Sequence, residues 1–387
     1  MKLPELGLRE WTSELEWSPD WEEEGTHERR LGPARVRFAG FTLKRVARIL
    51  RKFDLEVRDE PPVVTLRDAV FVKRRRCLYR LDGSRIDETM WTWIDPDLHA
   101  WPSQEAKAEA MNAKHMSPTA DIPKTLARVE QPVLYLGELK RHYGHFLTDG
   151  MARLWAMDRL DPQAPAFFHL DPQQAMGVSY VGQVMESLGI PAERMIWPQQ
   201  ATVFSEVICP MPAIQLSLRA YKAFDRPHRW ATRALAPYGV APRRPVYLSR
   251  RELGPGHRAL LGEDELERRL EREGYLIVHP DRLTLADQVA IFNGDEPVVA
   301  PMGSALHTVM FRLKPRGQKL GALTPEDVPG RFLLVDMVKA NRTTYANCLT
   351  ELTVGEAPQA LPLKERAWAI DPDRAMAMLD DAGFFRN

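Results

Sequence analysis

The 387-residue sequence is poor in cysteine: Cys77, Cys209 and Cys348 stand far apart and odd in number. That pattern excludes a cysteine-based zinc framework and fits a reducing compartment. Neither charge is in excess, with 53 Lys and Arg against 53 Asp and Glu, so no global field draws the chain to nucleic acid. No apolar run approaches the roughly 18 residues that a membrane span needs. The opening stretch MKLPELGLREWTSELEW is charged throughout and has no apolar h-region, so a secretory signal is not expected. A Walker lysine motif, a GxGxxG and an HExxH are all missing, so no standard ATPase, dinucleotide or zincin site is signalled. What remains, at 44% hydrophobic and 27% charged residues, is an ordinary globular chain. It is expected to be cytoplasmic and, at this length, two-domain.

The first 130 residues read as irregular, rich in Trp, Pro and charge. Within them FTLKRVARILRKFDL sets Phe41, Val46, Ile49, Leu50 and Phe53 near one helical face. Lys44, Arg45, Arg48, Arg51 and Lys52 carry the rest. Such a helix can lie on an anionic membrane surface or pack on its own domain with a solvated basic face; both readings stay open.

From 132 onward short apolar runs alternate with helical ones. The reading is strand VLYLGEL, a helix over about 144–159, strand AFFHL, a helix around 173–188, strand EVICP and a helical stretch over 213–236. After a linker APRRP come strand VYLSR, helix EDELERRLEREG, strand YLIVHP, helix LADQVAIFN, strand PVVAP, a helix from about Ser304, and LLVDM. This alternation predicts an α/β fold with parallel sheets covered on both faces, in two Rossmann-like halves. The expected domains are 1–240 and 241–361. A terminal helix over 362–387, able to cross back to the first domain, has Asp at its N-cap, Pro at N1 and a closing Gly.

In open parallel sheets ligands bind beyond the carboxyl ends of the strands, and two such ends are chemically loaded. SRRELGPGHR brings Arg250, Arg251 and Arg258 into a Gly/Pro loop, and arginine's planar fork suits phosphate oxygens; alone, it could equally be a solvated basic loop. In VVAPMGSALHTVMF a buried strand turns at Gly303 into a helix, which leaves the N–H groups of Ser304 and Ala305 free to bind an anion. A tight turn with Ser304 as N-cap is the alternative. Both elements on neighbouring strand ends favour a diphosphate ligand.

Upstream, RHYGHFLTDGMARLWAM puts His142, His145 and Asp149 at a helix start. His145 and Asp149, at i and i+4, share one face. They are either functional or a pair satisfying local backbone groups. A metal site of His142, His145 and Asp149 is chemically permissible, though no further ligand cluster accompanies it.

Taken together, HYGHFLTDGMARL, the VYLSRRE–EDELERRLEREGYLIVHPDRLTLADQVAIF stretch and VVAPMGSALHTVMF resemble the family 61 glycosyltransferases, in the manner of bacterial capsular polysaccharide-type members. The resemblance covers roughly 132–312 and is strongest over 245–312. It implies a GT-B fold with two domains facing each other across a cleft. It also implies a nucleotide-sugar donor, usually UDP-linked, and inversion at the anomeric carbon with no metal or other cofactor. Carried onto this chain, His145 and Asp149 supply the base. Arg250, Arg251, Arg258, Glu263, Gly303, Ser304 and Ala305 form the donor site. Two departures stand out: Met302 replaces the family's usual His before the Gly, and Gly262 a common Asn before the EDEL helix. The expected activity is transfer to a hydroxyl of a glycan acceptor, free or lipid-linked, in surface polysaccharide synthesis. A membrane-bound acceptor would give the basic segment 41–53 a peripheral role at the inner face. The rivals are a protein O-glycosyltransferase and a non-catalytic nucleotide-sugar or glycan-binding scaffold.

Overall fold

The computed structural model describes residues 22–51, 56–90, 116–159, 161, 163–169, 172–215, 219–253, 260–314, 318–352 and 367–385. Two compact units emerge. One joins residues 1–54 to 235–387, and the other spans 55–234. The second boundary falls near the expected linker. The first does not, because a hairpin of β1 (Glu24–Leu31) and β2 (Ala34–Thr42) leaves the N-terminal region for the sheet of the C-terminal half. In the same unit α1 (Leu43–Arg51) buries Val46, Ile49 and Leu50, while Lys44 pairs with Glu22 and Arg45 with Glu326. Phe41 belongs to β2, and Lys52 and Phe53 lie outside the described residues. The apolar face of this helix is therefore spent on its own unit.

The 55–234 unit is built on β3 (Val63–Phe71), β4 (Val133–Tyr135), β5 (Ala166–Phe167), β6 (Met195–Ile196) and β7 (Thr202–Pro210). In sheet order they run β3, β7, β4, β5, β6, with β7 through β6 parallel and β3 antiparallel to β7. Phe71, Tyr135, Phe167, Phe204 and Val207 fill the core. The stretch 213–236 is not helical throughout. Ile214–Gln215 and Arg219–Tyr221 pair as strands, and the latter also pairs with Glu56–Arg58. Among the described residues of the stretch, α2 (Asp225–Leu235) and the short turns beside it are helical. Long-range pairing overrides local helical pattern there.

The other unit adds β8 (Val246–Leu248), α3 (Glu263–Arg272), β9 (Leu276–Val278), α4 (Leu285–Asn293), β10 (Val298–Pro301), β11 (Lys319–Thr324), α5 (Gly330–Lys339), β12 (Arg342–Asn347) and α6 (Pro372–Asp381). LLVDM lies inside α5. The sheet runs β1-β2-β12-β11-β10-β8-β9, parallel except for β1. Counting from β8, that is order 2-1-3-4-5, a doubly wound sheet whose direction reverses between β8 and β10. The terminal helix α6 is capped by Asp371, which accepts the N–H of Arg374. Leu379 and Phe384 pack with Tyr247, Leu266, Leu270 and Tyr275, and Arg374 of the helix bonds Glu24 and Gly40 O of the N-terminal hairpin. Among the described residues no helix is long and apolar enough to cross a membrane.

One core residue of the 55–234 unit makes it acid-sensitive. His169, just past β5, is 3% exposed and sits among the rings of Phe71, Tyr135 and Phe167. Among the described residues neither ring nitrogen has a hydrogen-bond partner. Burial first, then Arg153 and Arg76, push its pKa from an ordinary 6.5 down to about 3. Above pH 6.5 both folded and unfolded states hold it neutral. Below that, the unfolded chain takes a proton that the folded one refuses, so stability falls as pH drops toward 3. His169→Phe keeps the ring and removes two buried polar atoms. Denaturant unfolding should show the variant gaining on wild type progressively from pH 7 to pH 4. A difference that does not change with pH would refute this account.

Candidate active site

At the carboxyl end of β8 the chain enters the arginine loop, which helix α3 grips from behind. Glu263 Oε1 accepts the hydroxyl of Tyr247 at 2.9 Å and the backbone N–H of Arg250 at 2.9 Å. One turn on, Glu267 accepts from the Ser249 hydroxyl and pairs with Arg251 at 2.7 Å. The carboxylates at i and i+4 thus fix Tyr247, Ser249, Arg250 and Arg251 together. Glu263 is 1% exposed, and among the described residues its Oε2 has no hydrogen-bond partner. It lies behind the arginine loop, bonded to Tyr247 and the Arg250 backbone.

Beyond β10, the neighbour of β8, the chain turns at Met302–Gly303 into a 3-10 helix, Ser304–Phe311. Gly303, not Ser304, is its N-cap. The guanidinium of Arg250 reaches this turn, donating from Nη1 to Met302 O at 3.4 Å. A Cβ on Gly303 would lie 2.5 Å from that nitrogen, so glycine is what admits the close approach. Arg250, Gly303 and the leading N–H groups of Ser304 and Ala305 therefore meet at the switch point of the sheet, where ligands of doubly wound folds bind. Met302 contributes its carbonyl here, whatever its side chain does. Arg251, half-exposed, flanks them. Arg258 lies outside the described residues.

In the 55–234 unit the expected helix after β4 is broken. A helical turn Tyr143–His145 runs into a π-helical turn Phe146–Gly150, then 3-10 turns over Leu154–Arg159. The N–H of Met151 reaches back five residues to Phe146 O at 3.0 Å. Other groups take up the neighbouring carbonyls. Leu147 O lies 2.9 Å from Nε2 of the buried His228 on α2, and Ala152 O accepts the N–H of Ala213 at 2.7 Å. Such π-turns cluster at functional sites.

The turn sets His145 Nδ1 2.8 Å from Asp149 Oδ2. The His145 side chain is 52% exposed and that of Asp149 16%. Asp149 lines a depression shared with Gly137, Glu138, Lys140, Arg153 and Ile214, and His145 stands outside it. Glu138 is buried between Lys140 at 2.7 Å and Arg76 at 3.7 Å. His142 is next to His145, ring centroids 5.1 Å apart. Among the described residues no three His, Cys, Asp or Glu side chains are grouped to hold a metal ion.

Residues 143–319 match the family model of Glycosyltransferase 61. Over that span the chain is similar to the family 61 glycosyltransferases. The match begins at the turn carrying His145 and Asp149 and ends in β11, so it includes both loaded strand ends and excludes the N-terminal hairpin. No curated protein matches the chain.

Sequence reasoning missed Arg153, His228 and Glu138. Arg153 is buried, and its four hydrogen bonds go to Cys209 Sγ and the carbonyls of Glu88, Met90 and Pro210. Its place four residues after Asp149, on the same helical face, was the available signal.

The glutamate clamp makes the stability of this unit pH-dependent. Burial is the largest cause raising the Glu263 carboxyl from 4.5 to about 7, opposed by the bonds from Arg250 and Tyr247. Below pH 4.5 both states hold the proton. Between 4.5 and 7 the unfolded chain ionises first, so this contribution to stability is lost as pH rises. Glu263→Gln keeps an acceptor for both donors and never ionises. Calorimetric melting should show the variant gaining on wild type from pH 5 to pH 8 and levelling off above 7. A constant offset would refute the shift.

Proposed function

We propose that the protein is an inverting glycosyltransferase of GT-B type that transfers a sugar from a nucleoside-diphosphate donor, UDP-linked by preference, to a hydroxyl of a glycan acceptor. The observation that carries this reading is the meeting of Arg250 with the Gly303 turn at the β8–β10 switch point. A cationic fork and the first N–H groups of a helix there face where a diphosphate's charge would lie.

In this reading Asp149 is the base. It, rather than His145, lines the depression, and His145 orients it from the solvent side. The acceptor hydroxyl gives its proton to Asp149 as its oxygen forms a bond to the anomeric carbon. The bond from that carbon to the β-phosphate oxygen breaks on the opposite face, and the departing diphosphate keeps the electron pair. Arg250, Arg251 and the N–H groups of Ser304 and Ala305 stabilise that growing charge. Turnover is therefore expected to survive EDTA. A role in surface polysaccharide synthesis, with a free or lipid-linked glycan as acceptor, follows from the same family reading, and such a lipid would bring the enzyme to the membrane's inner face.

Titration calorimetry with UDP and GDP tests the donor half. Binding of at least one is expected, and Arg250→Ala should weaken it by about 1.5–3 kcal/mol, the worth of a charged hydrogen bond. Absence of binding to either nucleotide and to any nucleotide-sugar would end the proposal. For the base, Asp149→Asn should lower kcat by roughly 10²–10⁴-fold with nucleotide binding unchanged. His145→Gln should cost less. The reverse ranking would make His145 the base.

A further inference from the structure

At the amino end of the same sheet, four neighbouring strands each contribute a cation to one row. Arg30 of β1 pairs in register with Arg35 of β2, Arg35 with Arg342 of β12, and Arg342 with Lys319 of β11. Cross-strand partners share a face, and strands lie ~4.8 Å apart, so the row spans roughly 15 Å. Like charges directly opposite one another destabilise a sheet. Some of this charge is answered locally. Arg30 Nε donates to Gly32 O, and Lys319 Nζ reaches the carbonyls of Ala382 and Gly383 past the end of α6. The nearby acids Glu28 and Asp381 are engaged by Arg37. Burial, then Arg342 and Arg37, hold the Lys319 ammonium below its ordinary pKa.

The two central arginines have no such answer. Arg35 and Arg342 are exposed, and among the described residues neither guanidinium has a hydrogen-bond or ion-pair partner. They flank a depression that Pro33 and Ala340 complete. It lies where β2 and β12 begin, whereas Arg250 and Gly303 lie at carboxyl ends of the sheet.

We propose that this depression binds a phosphate group, making the cation row a second anion site distinct from the proposed donor site and independent of it. Two planar guanidinium forks facing one pocket match the several acceptor oxygens of a phosphate. The length of the row beyond the central pair fits several phosphates in one plane, as on a phospholipid surface; a single soluble phosphate would use Arg35 and Arg342 alone.

The full chain should be tested with two probes. One is inorganic phosphate, titrated by calorimetry. The other is co-sedimentation with phosphatidylcholine vesicles, with and without phosphatidic acid. Wild type should bind at least one probe, and Arg35→Glu with Arg342→Glu should weaken that binding about tenfold or more. UDP binding should be unchanged in the Arg35→Glu, Arg342→Glu variant, which separates this site from the nucleotide site. Dependence on phosphatidic acid would identify a headgroup, and binding of inorganic phosphate without vesicle binding a soluble ligand. The same loss in Arg35→Gln with Arg342→Gln, at an unchanged melting temperature, guards against misfolding of the charge-reversed protein. Equal binding by wild type and the neutral variant, or no binding of either probe by wild type, would overturn the proposal.

Discussion

The loop that follows β8 depends on one buried carboxyl group. Glu263 collects the hydroxyl of Tyr247, on β8, and the backbone N–H of Arg250, beyond it, on a single oxygen. The direction in which Arg250 leaves the sheet is fixed by that shared acceptor. With Glu267 holding Ser249 and Arg251 one turn later, the loop arrives already organised. Transition-state charge is best stabilised by groups that need no reorganisation at the moment of reaction. Ionising Glu263 in this buried position is unfavourable, which is why its carboxyl titrates near 7. Gly262 makes the grip possible. It starts α3 with φ of +82°, and a Cβ there would lie 3.0 Å from Ile370 O. Asn also tolerates the left-handed region, so glycine in place of the family's Asn keeps the backbone geometry.

The 55–234 unit solves the same problem with the opposite charge. Arg153, buried under the π-turn, ties Cys209 and Pro210 of β7 to the segment around Glu88 and Met90, and its guanidinium lies 4.9 Å from the centre of the Tyr135 ring. A regular α-helix would satisfy its own carbonyls. This one gives Leu147 O to His228 and Ala152 O to Ala213, and the irregularity turns Asp149 toward the depression. In both units an acidic or basic side chain that composition would place in solvent is instead the internal brace of a loop.

That substitution also marks how far the sequence could be read. Strands with continuous apolar runs, such as VVAP and VYL, and helices with clear caps, such as Asp371-Pro372, were legible because burial and capping leave a local imprint. So was the pairing of Arg250 with the Gly303 turn, since strand ends and glycine turns are local too. The β1–β2 hairpin was not. EGTHERRL alternates charged with small or half-buried residues, and its partner strand becomes apolar only toward its end. The strands Ile214–Gln215 and Arg219–Tyr221 were hidden for a different reason: their pairing with one another and with Glu56–Arg58 is long-range, and nothing within the stretch records it. His169 left no trace beyond following two phenylalanines.

The hairpin decides where the fold around the Arg250 loop can be cut. The family match ends at residue 319 and excludes everything before 143, yet β12 lies between β11 and β2, and β1 covers β2. A chain cut to 235–387 would keep every residue of the Arg250 loop and Gly303 turn, but β12 would become an exposed parallel edge of six residues. Such an edge is a template for pairing with other chains. The hairpin closes it, and β1 as the new edge carries Glu24, Glu28, Arg29 and Arg30, charges of the kind that discourage further pairing. Its charged alternation, which made it look irregular as sequence, is what an outermost strand requires. Residues 24–42 thus belong to the same sheet as the Arg250 loop through sheet completion, at the edge away from β8 and β10.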